Sequence, residues 1–338
     1  MPNIGEAPLL QTTHCGHAEE LAEDATRRGD VDGVVVVGGD GIVSEATAGL
    51  LKGAARECGL FYDDPGVRLV RPGITLGILA GGSTNSFVTS CNGTEDIVTH
   101  VLQIIMGNRR FVDAAVMHAQ GSMVHVSPSG VHAGYLGSVQ ETSVKLRHIG
   151  PVREVLAGIR EFVRNRSYEC QIRYLARADV RGPYEGEVCR ADCATCSSPQ
   201  PSADSEGTWR ELNGKIYNAT MTLASQQCRY SKHGVSPLCH LGDGNLDLIV
   251  AWKASRLATF KRYLQVALKK DHLHSNSAQA FRTTEVHFSS HSAPLNCDGE
   301  LRYYPQFVFK VHRQCLGLYS RGREPLSSLE LASLTNNF

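Results

Sequence analysis

The sequence contains no apolar run long enough to cross a membrane as a helix. Its first residues also lack the charged start, apolar core and small-residue cleavage site of a secretory signal. These two absences favour a cytoplasmic protein that contacts membranes, if at all, only at their periphery. The 34 Lys and Arg residues balance 34 Asp and Glu residues. Since this leaves no positive excess to attract phosphate backbones, we expect no nucleic-acid partner.

The phosphate-binding pattern G-x-x-x-x-G-K-[ST] is absent as well. The N-terminal third instead repeats a strand, a glycine turn and a helix. Residues 34–37 are an apolar β-branched run, typical of a strand buried on both faces, and apolar residues after them recur at helical spacing. A second strand is predicted at residues 75–79, followed by a glycine turn and a helix start at Ser83. The pattern predicts a parallel α/β sheet with both turns at the carboxyl ends of its strands, where ligands collect.

From about Met117 the pattern changes to short runs that alternate apolar and polar residues. They predict a mostly antiparallel β structure, a sandwich, which is interrupted by helices at about residues 152–163 and 257–268. Residues 197–207 are rich in Pro and Ser and predict a surface loop, and the segment after Arg323 predicts a loosely held tail. The fold class is therefore α/β followed by β.

Chemistry is expected at the two glycine turns. Small residues allow a close approach of the backbone, and Ser83, Thr84 and Asn85 add polar groups at a helix start, which suits a di- or triphosphate. Asp40 lies within the first turn, and a kinase that acts on a hydroxyl group needs such a proton acceptor. The alternative is a structural aspartate that binds the N–H groups of its own turn. Glu45 is either a nucleotide contact or a solvated helix residue.

These turns, GGDGIVSE and GGSTNS, resemble the catalytic domain that diacylglycerol, sphingosine and ceramide kinases share. TTHCGHA, starting at Thr12, is similar to the family segment that lines the nucleotide pocket. LNCDGE, ending at Glu300, resembles the late segment that returns to the nucleotide. HLGDGNLDLIV, starting at His240, is similar to a segment with an acidic hydrogen-bonding network. VCRADCATC, with cysteines in C-x3-C-x2-C spacing, is similar to the signature that separates ceramide kinases from sphingosine kinases.

The resemblance implies transfer of the γ-phosphoryl group of ATP, with Mg²⁺, to the primary hydroxyl of ceramide. It implies a nucleotide-binding domain at residues 1–116, a lipid-binding domain at residues 117–322, a tail at residues 323–338 and an active site in the cleft between the two domains.

The resemblance also implies roles for single residues, with Asp40 as the proton acceptor. The implied substrate-binding residues are Gly38, Gly39, Asp40 and Gly41. The implied ATP-binding residues are Thr12, Thr13, His14, Cys15, Gly16, Glu45, Gly82, Ser83, Thr84, Arg147, Arg153, Asp298, Gly299 and Glu300.

The sequence departs from the family pattern in two places. The family normally opens with a strand and an Asn-Pro glycine-rich loop, whereas only eleven residues precede Thr12 here. We therefore expect either a fragment of an active enzyme or an impaired lipid- or nucleotide-binding homologue. Ser138 stands where relatives have an aspartate, and Gln140 stands where sphingosine kinases have an acid. An uncharged residue suits the amide of ceramide, and it is equally what a decayed site would show. Phosphorylation of a sphingoid base or diacylglycerol is the neighbouring alternative.

The cysteines of VCRADCATC are Cys189, Cys193 and Cys196. On a helix they would share one face, and they are either small buried apolar residues or ligands of a structural metal. Zinc requires four ligands, so Cys228, Cys239 or His240 would have to complete the set.

Overall fold

The computed structural model describes residues 8–177, 182, 187–199, 207–228, 231–267 and 277–323. Some predictions fall outside these ranges: most of the loop at 197–207, the tail after Arg323, residue 268 of the second helix and the end of the strand-like run that reaches residue 180.

The N-terminal part alternates helices and strands as predicted. Its elements are α1 (His17–Arg28), β1 (Gly33–Gly38), α2 (Asp40–Glu57), β2 (Thr75–Ala80), α3 (Ser86–Asn92) and α4 (Ile97–Ile105). β1 and β2 are parallel, with Gly33 opposite Thr75 and Gly38 opposite Ala80. The two glycine turns consequently leave the sheet at the same edge. α3 begins at Ser86 rather than at the predicted Ser83.

The remainder is rich in β structure. Its elements are β3 (Arg109–Ala119), β4 (Ser122–Ser127), β5 (Gly130–Gly134), α5 (Tyr135–Lys145), a 3-10 helix (Arg147–Val152), α6 (Arg153–Arg164), β6 (Tyr168–Ala176), α7 (Ala194–Ser197), β7 (Thr208–Thr222), β8 (Leu246–Trp252), α8 (Arg256–Ala267), β9 (Ala278–Thr283), β10 (Glu285–Ser289), β11 (Leu295–Cys297), β12 (Glu300–Arg302) and β13 (Gln306–Tyr319). Apart from β13 with β2, these strands pair antiparallel. The α/β and β-rich parts and both predicted helices are confirmed, whereas the sequence pattern did not predict α5.

The long strand β13 joins the two parts. It pairs parallel with β2 and antiparallel with β3 and β10, and its register shifts between His312 and Leu316. The described strands form one hydrogen-bonded sheet, in which the path from β1 to β12 passes through β13. β3 extends across residue 117, so the division into domains at that point stays a prediction.

Two buried clusters account for most of the core. One lies between strands of the β-rich part and includes Met117, Ile172, Met221 and Phe309. The other combines α1, α2, α3 and β2 with Cys189, Cys196 and Leu241. Segments that follow residue 187 thus help to bury the α/β part. Among the helices of the described residues, none has the length and apolar character to cross a membrane.

Candidate active site

The two glycine turns touch each other. The backbone N–H of Gly81 donates to the carbonyl oxygen of Gly38 at 3.0 Å. A Cβ added to Gly82 would lie 2.4 Å from the Cα of Gly39. Because a Cβ atom does not approach backbone so closely, glycine is required there. The turns predicted at one sheet edge therefore form a single backbone surface.

The turn after Gly82 is closed by Asn85, which explains the late start of α3. The side-chain oxygen of Asn85 accepts from the Gly82 N–H at 2.8 Å, and its amide donates to the Gly82 carbonyl oxygen at 2.9 Å. Asn85 is buried and left-handed, with φ of 51°. Residues 82–85 are thus held in a loop, and helical geometry begins only at Ser86.

Asp40 connects the first turn to the helix that follows the second. Its Oδ2 accepts from the backbone N–H of Ser86 at 3.0 Å and from the Ser86 hydroxyl at 2.8 Å, and its Oδ1 accepts from the Phe87 N–H at 2.9 Å. The N–H groups that begin a helix have no partner within it and favour negative charge. The donors belong to α3, which follows the second turn, and not to Asp40's own turn, as the structural alternative predicted. The carboxylate is half-buried.

Asp298 brings the late segment to the same place. A Cβ on Gly41 would lie 3.4 Å from the carbonyl oxygen of Asp298. The Asp298 Oδ2 pairs with the His125 Nε2 at 2.9 Å, while its buried Oδ1 has no hydrogen-bond partner among the described residues. Burial raises the pKa of this carboxyl; His125 and the Ser127 hydroxyl oppose the shift, and the charge of Asp40 adds to it. The charges of the two acids therefore influence each other at the turns.

A cavity of about 80 Å³ opens beside these residues, lined by Cys15, Gly16, Gly41, Ser44, Glu45, His125, Glu300 and Arg302 among others. Ligand pockets usually measure about 300–1,000 Å³. A nucleotide would thus have to extend from the cavity over the exposed turns. The cavity nevertheless brings together three segments that the sequence had predicted to meet at ATP.

Glu45 lines this cavity and binds backbone N–H groups beside it. Its carboxylate accepts from the backbone N–H groups of Gly16 at 3.0 Å and Ala18 at 3.3 Å, at the start of α1. The Cys15 Sγ lies 3.7 Å from Glu45 and 3.8 Å from Glu300. The nearby charge of Glu300, then burial and Glu45, raise the pKa of the Cys15 thiol.

The remaining residues that were predicted to bind ATP belong to the segment before α1 and to the second glycine turn. Thr12, Thr13 and His14 are exposed before α1, where the Thr13 N–H donates to the His17 Nδ1 at 3.1 Å. Thr84 is half-buried in the second turn, and the Ser83 hydroxyl donates to the Glu154 carboxylate at 2.9 Å.

The two predicted arginines differ in their surroundings. Arg147 is exposed in the 3-10 helix. Arg153 begins α6, next to Glu154, and its buried Nε has no hydrogen-bond partner among the described residues. The bond between Ser83 and Glu154 brings Arg153 close to the second turn, whereas among the described residues no hydrogen bond of this kind links Arg147 to it.

The two positions that depart from the family pattern both lie on α5. The hydroxyl of Ser138 is buried and bonds the Tyr168 hydroxyl at 2.5 Å. The amide of Gln140 donates to the carbonyl oxygen of Gly299, in the turn between β11 and β12. Gln140 therefore contacts the predicted ATP-binding turn directly, whereas Ser138 supports α5 from within.

Sequence reasoning missed His125, the partner of Asp298. His125 lies in β4 and also approaches the Ser44 hydroxyl at 3.4 Å. A single histidine in an alternating strand carries no functional pattern of its own.

The segment that starts at His240 contains the acid Asp247, which forms hydrogen bonds of its own: Asp247 pairs with Arg282 at 2.7 Å, and the Ser236 hydroxyl donates to it at 2.5 Å.

The three predicted cysteines are close together, but not on one helix. α7 includes Cys196, while Cys189 and Cys193 precede it. The Sγ atoms of Cys189 and Cys196 are 3.7 Å apart, and the Cys193 Sγ is 3.2 Å from the Nδ1 of His240. All four side chains place a ligand atom within 4.8 Å of the others. Of the three candidates for a fourth position, the structure brings His240 to the cysteines.

Comparison with known proteins supports the family resemblance of the motifs. Residues 3–117 match the family model of the diacylglycerol kinase catalytic domain. Human ceramide kinase is 28% identical over 94% of this chain and 67% of its own length. Ceramide kinase 1 of Caenorhabditis elegans is 26% identical over 86% of this chain and 55% of its own length. The resemblance predicted from the motifs is confirmed.

Among solved structures, a putative diacylglycerol kinase from Bacillus anthracis str. Sterne superposes with a TM-score of 0.60. The match covers 91% of this chain and 84% of the bacterial chain at 17% identity, so it shows the shared fold alone.

Proposed function

We propose that this ATP-dependent lipid kinase, a member of the family that carries the diacylglycerol kinase catalytic domain, phosphorylates the primary hydroxyl of ceramide to give ceramide 1-phosphate. The observation that carries the proposal is the convergence at Asp40. Asp40 begins α2 directly after the first glycine turn, the N-terminus of α3 after the second turn donates to its carboxylate, and the Asp298 backbone lies against the adjacent Gly41.

Asp40 acts as the proton acceptor in the proposed reaction. Its two oxygens accept three hydrogen bonds from α3, which fixes the orientation of the carboxylate. A carboxylate has about four lone-pair sites, so one site, on Oδ1, remains for an incoming hydroxyl. The hydroxyl oxygen then attacks the γ-phosphorus as its proton moves to Asp40, and ADP leaves. Positioning of this kind supplies much of the rate in phosphoryl transfer.

The nucleotide is held by exposed backbone and by polar side chains. The two turns pack glycine against glycine and so present backbone to a phosphate group, and Arg153 has an Nε without a hydrogen-bond partner among the described residues. Cys15, Glu45 and Glu300 line the adjoining cavity.

The residues also fit Mg²⁺. The Asp298 Oδ1 is buried without a hydrogen-bond partner among the described residues, and the Asp40 carboxylate is near. Carboxylate oxygens are suitable Mg²⁺ ligands, so Asp298 Oδ1 would hold the ion, while the remaining lone pair of Asp40 is kept for the substrate hydroxyl. When bound, it would neutralise charge on the phosphate oxygens.

Ceramide is favoured over a sphingoid base by the uncharged residue beside the nucleotide turn. Gln140 donates to the carbonyl oxygen of Gly299, where an acid would attract the amine of a sphingoid base. The amide of ceramide carries no charge and gains nothing from an acid. The curated names of the human and worm relatives point to the same substrate.

Peripheral contact with a membrane follows from the surface of α6. Val152, Val155, Leu156, Ile159 and Val163 recur at helical spacing, and each is between 42% and 58% exposed. Beside them, α8 exposes Leu257, Phe260 and Leu264. Apolar stripes normally face the core, so stripes that face solvent indicate a surface for lipid. Since Glu154 of α6 bonds Ser83, this surface begins next to the glycine turns.

The test is a kinase assay with labelled ATP on ceramide, a sphingoid base and diacylglycerol, each in mixed vesicles. We expect the highest kcat/KM with ceramide. Asp40→Asn should abolish turnover while vesicle binding persists. Preference for the amine-bearing base would refute ceramide as the substrate. Unchanged turnover in Asp40→Asn would refute the role of Asp40, and absence of turnover in the wild type would favour a binding protein without catalysis.

A further inference from the structure

We propose that Cys189, Cys193, Cys196 and His240 bind one zinc ion. The ion would stabilise the segments that pack against α3, the helix that contacts Asp40. The proposal concerns a site that the phosphoryl transfer does not use. It rests first on the ligand set, because three thiol groups and an imidazole are a frequent combination in structural zinc sites.

The spacing of the ligand atoms fits a tetrahedral ion. With Zn–S bonds of about 2.3 Å and Zn–N bonds of about 2.0–2.1 Å, neighbouring sulfur atoms should lie ~3.8 Å apart and sulfur and nitrogen ~3.5 Å apart. The observed separations are 3.7 Å from Cys189 Sγ to Cys196 Sγ and 3.2 Å from Cys193 Sγ to His240 Nδ1. A disulfide would require about 2.05 Å between the sulfur atoms, so Cys189 and Cys196 are not bonded.

The surroundings suit an ion with four protein ligands at the wall of a cavity of about 800 Å³, which Cys193, Cys196 and Arg110 also line. Cys189, Cys196 and His240 are buried, and Cys193 is half-buried. Three thiolates and Zn²⁺ leave one negative charge. The guanidinium group of Arg110 approaches the Cys189 Sγ at 3.6 Å and compensates this charge.

The ion would connect two irregular segments. The first is the segment from Cys189 to Cys196, whose regular structure is limited to the short helix α7. The second is the loop that precedes β8 and contains His240. Hydrogen bonds already hold the two segments to the same side chain, since the amide of Gln314 donates to the carbonyl oxygens of Cys196 at 2.7 Å and Gly242 at 2.9 Å. Four metal bonds would add the rigid link that such short segments otherwise lack.

The site lies behind α3. Cys189 and Cys196 belong to the same buried cluster as Phe87, Val88 and Cys91 of α3. The first turn of this helix donates to Asp40. A zinc ion that stabilises the cysteine segment would therefore also fix the helix that orients the proposed base. This consequence rests on the proposed function, whereas the presence of zinc does not.

The experiment measures zinc by mass spectrometry in the full chain purified without chelator. We expect about one zinc ion per chain in the wild type and in Cys58→Ser, a matched control whose thiol is exposed and outside the cluster. His240→Ala should retain less than about a tenth of this amount, and His240→Cys should restore it, because a fourth thiolate is an equivalent ligand.

Reconstitution of the wild type with Co²⁺ gives a second readout that does not depend on how the variants fold. A tetrahedral site with thiolates produces intense visible bands and thiolate-to-cobalt charge transfer in the near ultraviolet. The weak spectrum of octahedral Co²⁺, zinc far below one ion per chain in the wild type, or full zinc content in His240→Ala would each overturn the proposal. Zinc at one per chain without kinase activity would refute the proposed function and leave the zinc site intact.

Discussion

A Cβ atom on Gly82 would lie 2.4 Å from the Cα of Gly39, although 43 positions (82 − 39) separate them in the chain. The contact is possible only because β1 and β2 are parallel neighbours whose ends meet at one edge of the sheet. It joins two glycine turns into the surface that carries the proposed phosphate site, and it makes this surface sensitive to a single methyl group.

Gly82→Ala should disrupt this surface. The new methyl group would collide with backbone, so one turn must move, at a cost of about 1–3 kcal/mol. We expect a lower melting temperature and a loss of kinase activity of at least about tenfold, since small displacements of catalytic groups are costly. Gly73→Ala is the matched control, because a Cβ there has no neighbour within 4 Å. Equal activity of both variants would show that the contact is unimportant.

Asp40→Ala should separate catalysis from helix stability when it is compared with Asp96→Ala. Both aspartates accept backbone N–H groups at a helix start; Asp96 does so at α4, where Thr99 N–H donates at 2.8 Å. Each variant should lose about 0.5–2 kcal/mol of the free energy of unfolding. Only Asp40→Ala should also lose about 10²–10⁴-fold in kcat, if its carboxylate is the base. A comparable kcat loss in Asp96→Ala would assign the whole effect to stability.

His312 should make the protein sensitive to moderately acidic pH. Burial, followed by the charges of Lys310, His118 and Arg68, lowers the pKa of His312 to about 4. Its Nδ1 accepts from the Leu69 N–H at 3.3 Å, so the folded state keeps the ring neutral. The unfolded chain binds the proton more readily than the folded state. The contribution of neutral His312 to the free energy of unfolding is therefore fully present above pH ~6.5 and is lost as the pH falls towards ~4.

In His312→Asn the amide oxygen can replace the acceptor without titrating. Urea unfolding at several pH values should show that the wild type loses on the order of 3 kcal/mol more than this variant across that window. His291→Asn, at an exposed position, serves as the control. Parallel pH profiles for the wild type and His312→Asn would contradict the prediction.

Ile159→Glu should weaken contact with membranes. Ile159 is 58% exposed in the apolar stripe of α6, so a carboxylate should leave the free energy of unfolding nearly unchanged. Sedimentation with vesicles should show a smaller bound fraction, and activity on vesicle-borne ceramide should fall several-fold. Phe61→Glu, at a 70% exposed position outside the stripe, should behave as the wild type. Unchanged sedimentation of Ile159→Glu would exclude α6 as the contact surface.

Local patterns in the sequence predicted much of the fold and the position of the site. The β-branched run at residues 34–37 and the helical spacing after it correspond to β1 and α2, and the glycine turns lie at the predicted sheet edge. The prediction that this strand is buried on both faces is wrong, because Val35 and Val37 are 46% and 61% exposed. Each of these features arises among residues close in the chain, where side-chain periodicity and backbone freedom decide the conformation.

The tertiary structure decided what distant segments contribute. The pairing of β13 with β2, the bond between His125 and Asp298 and the choice of His240 beside the cysteines join residues that lie tens to hundreds of positions apart. Such contacts leave no periodic trace, because they depend on which surfaces meet after the sheet has assembled. The sequence alone thus predicted an acid at the first glycine turn, while the structure makes Asp40 the first residue of α2 and packing determined that the first N–H groups of α3 would hold it.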